Sequence, residues 1–196
     1  MGAPTEEPDG PRDRDRILDA ALTEFRTRGV DEFSIEGVAS RAGVEPGVIA
    51  RYWHDWRVLL MDAQLTRARQ TVPTPDNGNL YQDLHDYANS LTGVANTVEG
   101  RRWFHRNLPN GRDTDFSEVR ADYWSIRFSE LVPILLHAAE RGEIRHGIDP
   151  LEALRAFSAA IYYDVIFTDS PVRPGYAKQV VDIFCHGILK PTEDPG

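Results

Sequence analysis

The chain has 196 residues, 41% hydrophobic and 27% charged, a globular balance that excludes disorder throughout and allows a core without staples. No run approaches the roughly 20 apolar residues of a membrane-spanning helix, no charged-then-apolar leader opens the chain, and the single Cys185 excludes both an internal disulfide and a thiolate zinc cluster. Net charge is −9, but the acid is uneven: residues 1–11 hold three acids and no base, residues 12–70 balance ten Arg against ten acids, and residues 71–196 carry 18 acids against 12 bases. The first half is therefore not excluded from binding a polyanion by the global charge.

Residues 1–11, MGAPTEEPDGP, read as a disordered arm, and residues 191–196 as a frayed tail. A first helix is predicted from about Arg12 to Arg28, where Ile17, Ala21, Leu22 and Phe25 make one stripe and Gly29 follows as the cap. Ser34 is placed to N-cap a short helix ending near Ala42. Gly43 breaks it, and a second short helix runs from about Pro46 to Tyr52. Asp55 caps a helix from Trp56 to about Gln70, and the Pro73–Asn79 segment reads as a linker at a domain boundary.

Beyond the linker, helical periods cover about Leu80–Val98, Arg101–Leu108 and Phe116–Arg141, the last with a kink expected near Ser129 from Pro133. Asp149-Pro150-Leu151-Glu152 forms a capping box opening a helix to about Phe167, and a last helix runs from about Pro174 to Leu189. No segment alternates as a strand does, so the expected fold is all-α, with about nine helices. The domains expected are a helix-turn-helix unit over 12–56, a connecting helix over 57–72, and a larger helical domain over 73–190.

Residues 35–53, IEGVASRAGVEPGVIARYW, carry the spacing of a helix-turn-helix. Ala39 is small where a second helix must approach, Gly43 permits a left-handed turn, and Ile49 points back into the pair. Reading duplex DNA needs such a short, rigidly held helix with one face free for the major groove.

The wider stretch RILDAALTEFRTRGVDEFSIEGVASRAGVEPGVIARYWHDWRVLL, Arg16 to Leu60, resembles the N-terminal domain of the tetracycline-repressor (TetR) family of bacterial transcription regulators. The resemblance rests on Ile17, Ala20, Ala21, Phe25, Gly29, Ser34, Ile35, Val38, Ala39, Ala42, Gly43, Val44, Gly47, Tyr52, Leu59 and Leu60. It implies that the helix from about Pro46 is the recognition helix, with Glu45, Pro46, Val48 and Arg51 facing bases. Arg51 would make a bidentate guanine contact and Val48 would touch a thymine methyl. Ser34, Arg41, Tyr52 and Arg57 would hold phosphates. The chain departs from the family at Glu45 and Val48, where Ser or Thr is usual, at Ala50 and Tyr52, where Tyr and His are usual, and at Trp56, often Lys. Fewer phosphate contacts and a shallower salt dependence follow.

The resemblance further implies a C-terminal effector cavity. Trp103, Phe104, Tyr123, Trp124, Phe128, Tyr162, Tyr163 and Phe167 are its candidate walls, and His105, Arg127 and His137 its polar anchors. The last two helices are apolar over more than one face, which asks for a partner. The interface expected is Leu154, Phe157, Ile161 and Val165 with Val180, Phe184, Gly187 and Ile188, resembling the family's two-fold dimer. The six His show no metal-ligand spacing and no nucleophile elbow or phosphate loop is present, so no metal, cofactor or enzymatic activity is expected.

The expected protein is a cytoplasmic homodimeric repressor, released from a palindromic DNA operator by a small, apolar or aromatic effector, with no membrane role. The alternative is a ligand-binding or interaction protein of the same fold with weak or lost DNA binding.

Overall fold

The computed structural model describes residues 11–106, 114–168 and 170–186. Among them all regular structure is helical, in ten helices: α1 (Pro11–Arg28), α2 (Ile35–Ala42), α3 (Pro46–Tyr52), α4 (Trp56–Thr71), α5 (Leu80–Ala95), α6 (Val98–Arg106), α7 (Thr114–Leu131), α8 (Pro133–Glu140), α9 (Pro150–Phe167) and α10 (Tyr176–His186). The tenth helix comes from the long run around Pro133, which divides at Val132 rather than kinking near Ser129. Proline has no N–H for the preceding turn, yet Val132 keeps helical angles, so α8 restarts directly. Pro11, expected in the arm, begins α1; the rest of the arm, the tail, Leu108 and the last predicted residues Gly187 and Ile188 lie outside the described residues. No described helix is long and apolar enough to cross a membrane.

The chain divides into two compact units, and the division falls inside α4, between Ala68 and Arg69, before the proline-rich segment. The N-terminal unit also takes the start of α7, through Tyr123. In its core Ile17, Leu18 and Ala21 of α1 meet Val38, Ala39 and Ala42 of α2, Val48 and Ile49 of α3, Trp53, and Leu59 and Ala63 of α4. A second cluster sets Phe116 and Val119 of α7 against Phe25 and Leu60, with the Phe25 and Phe116 rings 5.5 Å apart.

The C-terminal unit buries one face of each remaining helix. Leu84, Tyr87 and Leu91 of α5 pack with Ile134 and Leu135 of α8, Leu154, Phe157, Ile161 and Val165 of α9, and Val180 and Val181 of α10. Caps set the helix starts: Asn79 accepts from the Gln82 N–H at 3.0 Å and Asp149 from the Glu152 N–H at 2.9 Å. Tyr81 of α5 donates to Asp182 of α10 at 2.6 Å, and Lys178 donates to the same carboxylate at 2.6 Å. These two bonds, Lys178 foremost, hold the Asp182 carboxyl below its ordinary range.

At the α5–α6 junction the chain folds back so closely that a Cβ on Gly100 would collide with the backbone carbonyl of Val94. The obstruction is main chain, so no side-chain rotation relieves it. Gly100→Ala is expected to lower stability by about 1–3 kcal/mol, read as a lower urea midpoint with an unchanged slope.

Candidate nucleic-acid interface

Ser34 begins α2 by accepting the Gly37 N–H on its hydroxyl oxygen at 3.1 Å, which satisfies one of the donors a helix start leaves unpaired. Gly43 ends α2 at φ +65, a conformation most residues avoid. Three residues later Pro46 opens α3 with φ already set for a helix. Within seven residues α3 buries Val48 and Ile49, and Trp53 is buried just beyond its end. Gly47, Ala50, Arg51 and Tyr52 are exposed, which leaves one side of α3 in water and one in the core.

Two buried or half-buried carboxylates lock this arrangement. Glu24 of α1 is 1% exposed, accepts from Arg41 Nε of α2 at 2.5 Å, and stands 3.2 Å from Arg28 Nε. Its Oε1 takes no hydrogen bond, so Arg28 acts there by charge alone. A Cβ at Gly37 would strike that carboxylate, which ties α1 to α2 at close range. Asp62 of α4 accepts from Trp53 Nε1 at 2.9 Å and from Arg14 of α1 at 2.7 and 2.8 Å.

Neither acid was among the residues expected to matter. Glu24 falls in register with Ile17, Ala20 and Ala21 on the inward stripe of α1, and Asp62 stands beside Leu59 and Ala63 on α4. An acid at an apolar register position is the signal that finds them.

The structure sorts the predicted contact residues. Glu45, Pro46, Arg51 and Tyr52 are exposed, and the Arg51 guanidinium has no partner among the described residues. Val48 is a correction: it is 7% exposed and packs in the core, so it reads no thymine methyl. It is buried beside Ile49, the other inward residue of α3. Arg41 is held by Glu24 and also donates to Thr27 at 3.1 Å. Arg57 pairs with Asp55 at 3.2 Å and lies over the Trp56 ring. Both guanidiniums are engaged within the unit, where the sequence reading offered them to phosphate. Glu36 and Glu45 are exposed at the starts of α2 and α3, where a helix dipole would otherwise favour an anion.

Comparison with known proteins agrees with this geometry. Residues 17–60 match the bacterial regulatory proteins of the tetR family, and residues 74–184 match the tetracyclin repressor-like C-terminal domain. The chain belongs to the TetR family. It is a DNA-binding, helix-turn-helix transcriptional regulator. It is 28% identical over 178 residues to the HTH-type transcriptional regulator AqdR of Rhodococcus erythropolis, across 91% of this chain and 86% of that protein. It is 25% identical to the regulator SrpR of Pseudomonas putida, across 76% of this chain and 71% of that protein. The crystal structure of the TetR family regulator SCO0332 superimposes with a TM-score of 0.75 at 23% identity, over 91% of this chain and 100% of that one. The structure of FadR from Bacillus subtilis in complex with stearoyl-CoA superimposes with a TM-score of 0.61 at 16% identity, over 89% and 98%, and shows the common fold.

In this TetR-family chain the C-terminal candidates separate. Trp103, Phe104, Trp124 and Tyr162 form a continuous ring cluster, with Trp124 5.3 Å from Tyr162 and 6.0 Å from both Trp103 and Phe128. Arg127 is buried beside them, donating to the Val72 carbonyl and pairing with Glu130. Tyr87 and Ser158, not anticipated, share a buried hydrogen bond of 3.2 Å, and burial pushes the Tyr87 hydroxyl up from its ordinary value. The other five rings and anchors are corrections. Tyr123 belongs to the N-terminal unit. His105 and His137 are exposed, His137 lying 3.3 Å from Asp76. Tyr163 and Phe167 are 61% and 73% exposed and touch each other at 5.3 Å.

The expected dimer stripe is a further correction. Leu154, Phe157, Ile161 and Val165 are at most 1% exposed and form the subunit's own core, because the most apolar stripe of a helix turns toward its own domain first. An open cleft of about 320 Å³ runs between α9 and α10, lined by Ala156, Phe157, Ala160, Val180, Ile183 and Phe184, with Arg173 and Tyr176 at its edge. Of the residues predicted to line the effector cavity, none lines this cleft.

Glu24→Gln removes the charge that both arginines face while keeping the side-chain shape. It is expected to destabilise the protein by about 1–3 kcal/mol, measured by urea denaturation at neutral pH.

Proposed function

We propose that this TetR-family chain is a homodimeric repressor that binds a palindromic operator through the outward side of α3 and leaves it when a small effector binds the C-terminal unit. The single observation that carries the reading is Arg51: an exposed, unpaired guanidinium on a short helix whose opposite side is buried. A free planar fork at that place suits the two acceptors of guanine. Glu45, Pro46 and Tyr52 flank it on the same exposed stretch, and Ser34 stands at the start of α2, where a phosphate would meet backbone N–H groups.

Two such helices about 34 Å apart would read two half-sites. The exposed Tyr163, Phe167 and Ile183 on α9 and α10 are apolar surface that a second subunit would cover. The ring cluster around Trp124 and Tyr162, with Arg127, Tyr87 and Ser158 among it, supports an effector that is apolar or aromatic with one polar group. Such an effector acts by binding the DNA-incompetent population better.

A second reading, a ligand-binding protein of the same fold with weak DNA affinity, is favoured by one observation: Arg41 and Arg57 are committed to Glu24 and Asp55. A mobility shift with duplex selected from random sequence by the wild-type protein separates the two. On the first reading Arg51→Ala weakens binding to that duplex by about 5- to 150-fold, and leaves binding to random duplex nearly unchanged. With so few free cations, log K against log[salt] is expected to have a slope no steeper than about −4, measured by fluorescence anisotropy.

A further inference from the structure

We propose that Asp62 is a positioning residue for DNA reading: it sets the pitch of α3 through the Trp53 indole without touching the groove itself. The inference rests on the reading that the outward side of α3 meets DNA.

Among the described residues, Trp53 Nε1 is the only side-chain donor or acceptor in residues 45–53 that bonds another element. The beginning of α3 has no side-chain cap, since Glu45 makes no such hydrogen bond. Its middle is held by Val48 and Ile49, whose apolar contacts are non-directional: they require burial but tolerate small rotations of a short helix. Direction enters at the far end. The Trp53 backbone N–H bonds Ile49 O at 2.9 Å, so the indole is continuous with the last turn, and the Tyr52 ring lies against it at 5.7 Å. The indole N–H then donates to a carboxylate, at 2.9 Å. A hydrogen bond to a charged acceptor is shorter and stronger than a neutral one.

Asp62 is itself held. Both of its oxygens accept from Arg14 of α1, and Thr66 Oγ1 lies 3.4 Å from Oδ1. Its carboxylate therefore joins the end of α3 to α1 and α4 at one point. Arg51 and Tyr52 are the two residues before Trp53, so a shift of the indole moves them directly. A displacement of about 1 Å is enough to spoil a two-point hydrogen bond to a base edge.

The test compares Trp53→Phe, Asp62→Ala, the double variant and Asp62→Asn with wild type. Trp53→Phe keeps an aromatic ring but loses the donor and part of the indole's volume, so Asp62→Ala, which leaves the Trp53 ring whole, guards against a simple loss of packing; Asp62→Asn keeps an acceptor and serves as the rescue. Two readouts are taken: affinity for duplex selected by the wild-type protein against random duplex, and amide hydrogen exchange of residues 48–53. We expect Trp53→Phe and Asp62→Ala each to weaken selected-duplex binding about five- to tenfold with random-duplex binding within twofold, to speed exchange in α3 by a similar factor with α2 unchanged, and the double variant to be no worse than the worse single one. Asp62→Asn should recover most of both. Unchanged α3 exchange in Trp53→Phe overturns the proposal. So does faster exchange with unchanged selectivity, or an equal loss for selected and random duplex. A wild-type protein that selects no duplex overturns the DNA-reading proposal, and the exchange data then decide whether Asp62 anchors α3.

Discussion

A helix of seven residues does not persist in water, because the nucleation cost of its first turn is not recovered over so short a length. The exposed side of α3 therefore exists only because its other side is buried. Val48 and Ile49 fill the space between α1, α2 and α4, and Trp53 closes the end. The spacing and common orientation of the exposed residues of α3 are inherited from that burial. This also explains why Val48 sits inside: a helix of about two turns has few positions with which to anchor itself, and Val48 and Ile49 are its buried ones.

Charge in the N-terminal unit is organised inward as well as outward. Asp62 takes Trp53 and Arg14 from other elements, Glu24 takes Arg41 from α2 and Arg28 from its own helix, and between them the two acids occupy Arg14, Arg28 and Arg41. A buried carboxylate is costly unless it is paired, so these arginines are recruited by desolvation rather than left to an external polyanion. A balanced count of Arg and acid in residues 12–70 thus conceals an unequal distribution: most pairs are internal, and Arg51 is among the arginines without a partner among the described residues. On the proposed reading, the electrostatic contribution to DNA binding is thin and discrimination depends more heavily on how well α3 is aimed.

In the C-terminal unit, burial follows a hierarchy. The strongest apolar stripe of α9 serves the subunit core, and the weaker outer strip with Tyr163 and Phe167 is left at the surface. The aromatic cluster of Trp103, Phe104, Trp124 and Tyr162 is packed ring against ring. Polar groups inside it are satisfied: Tyr87 by Ser158, and Arg127 by the Val72 carbonyl and Glu130. A polar group in such a place must have a partner whenever no ligand supplies one.

Helix order, the caps at Ser34 and Asp149, the break at Gly43 and the helix-turn-helix spacing were legible in the residues alone, because each is set by interactions over three or four positions. Membership of the family was legible for the same reason, since its markers are the small and apolar residues that those local contacts require. Only the folded chain decided which side of α3 holds Val48, which acids hold Arg41 and Trp53, and which stripe of α9 stays outside. Those choices join residues far apart in the chain, 48 positions in Arg14 and Asp62 and 71 in Tyr87 and Ser158, and sequence periodicity reports that a face is apolar without reporting what it will be packed against.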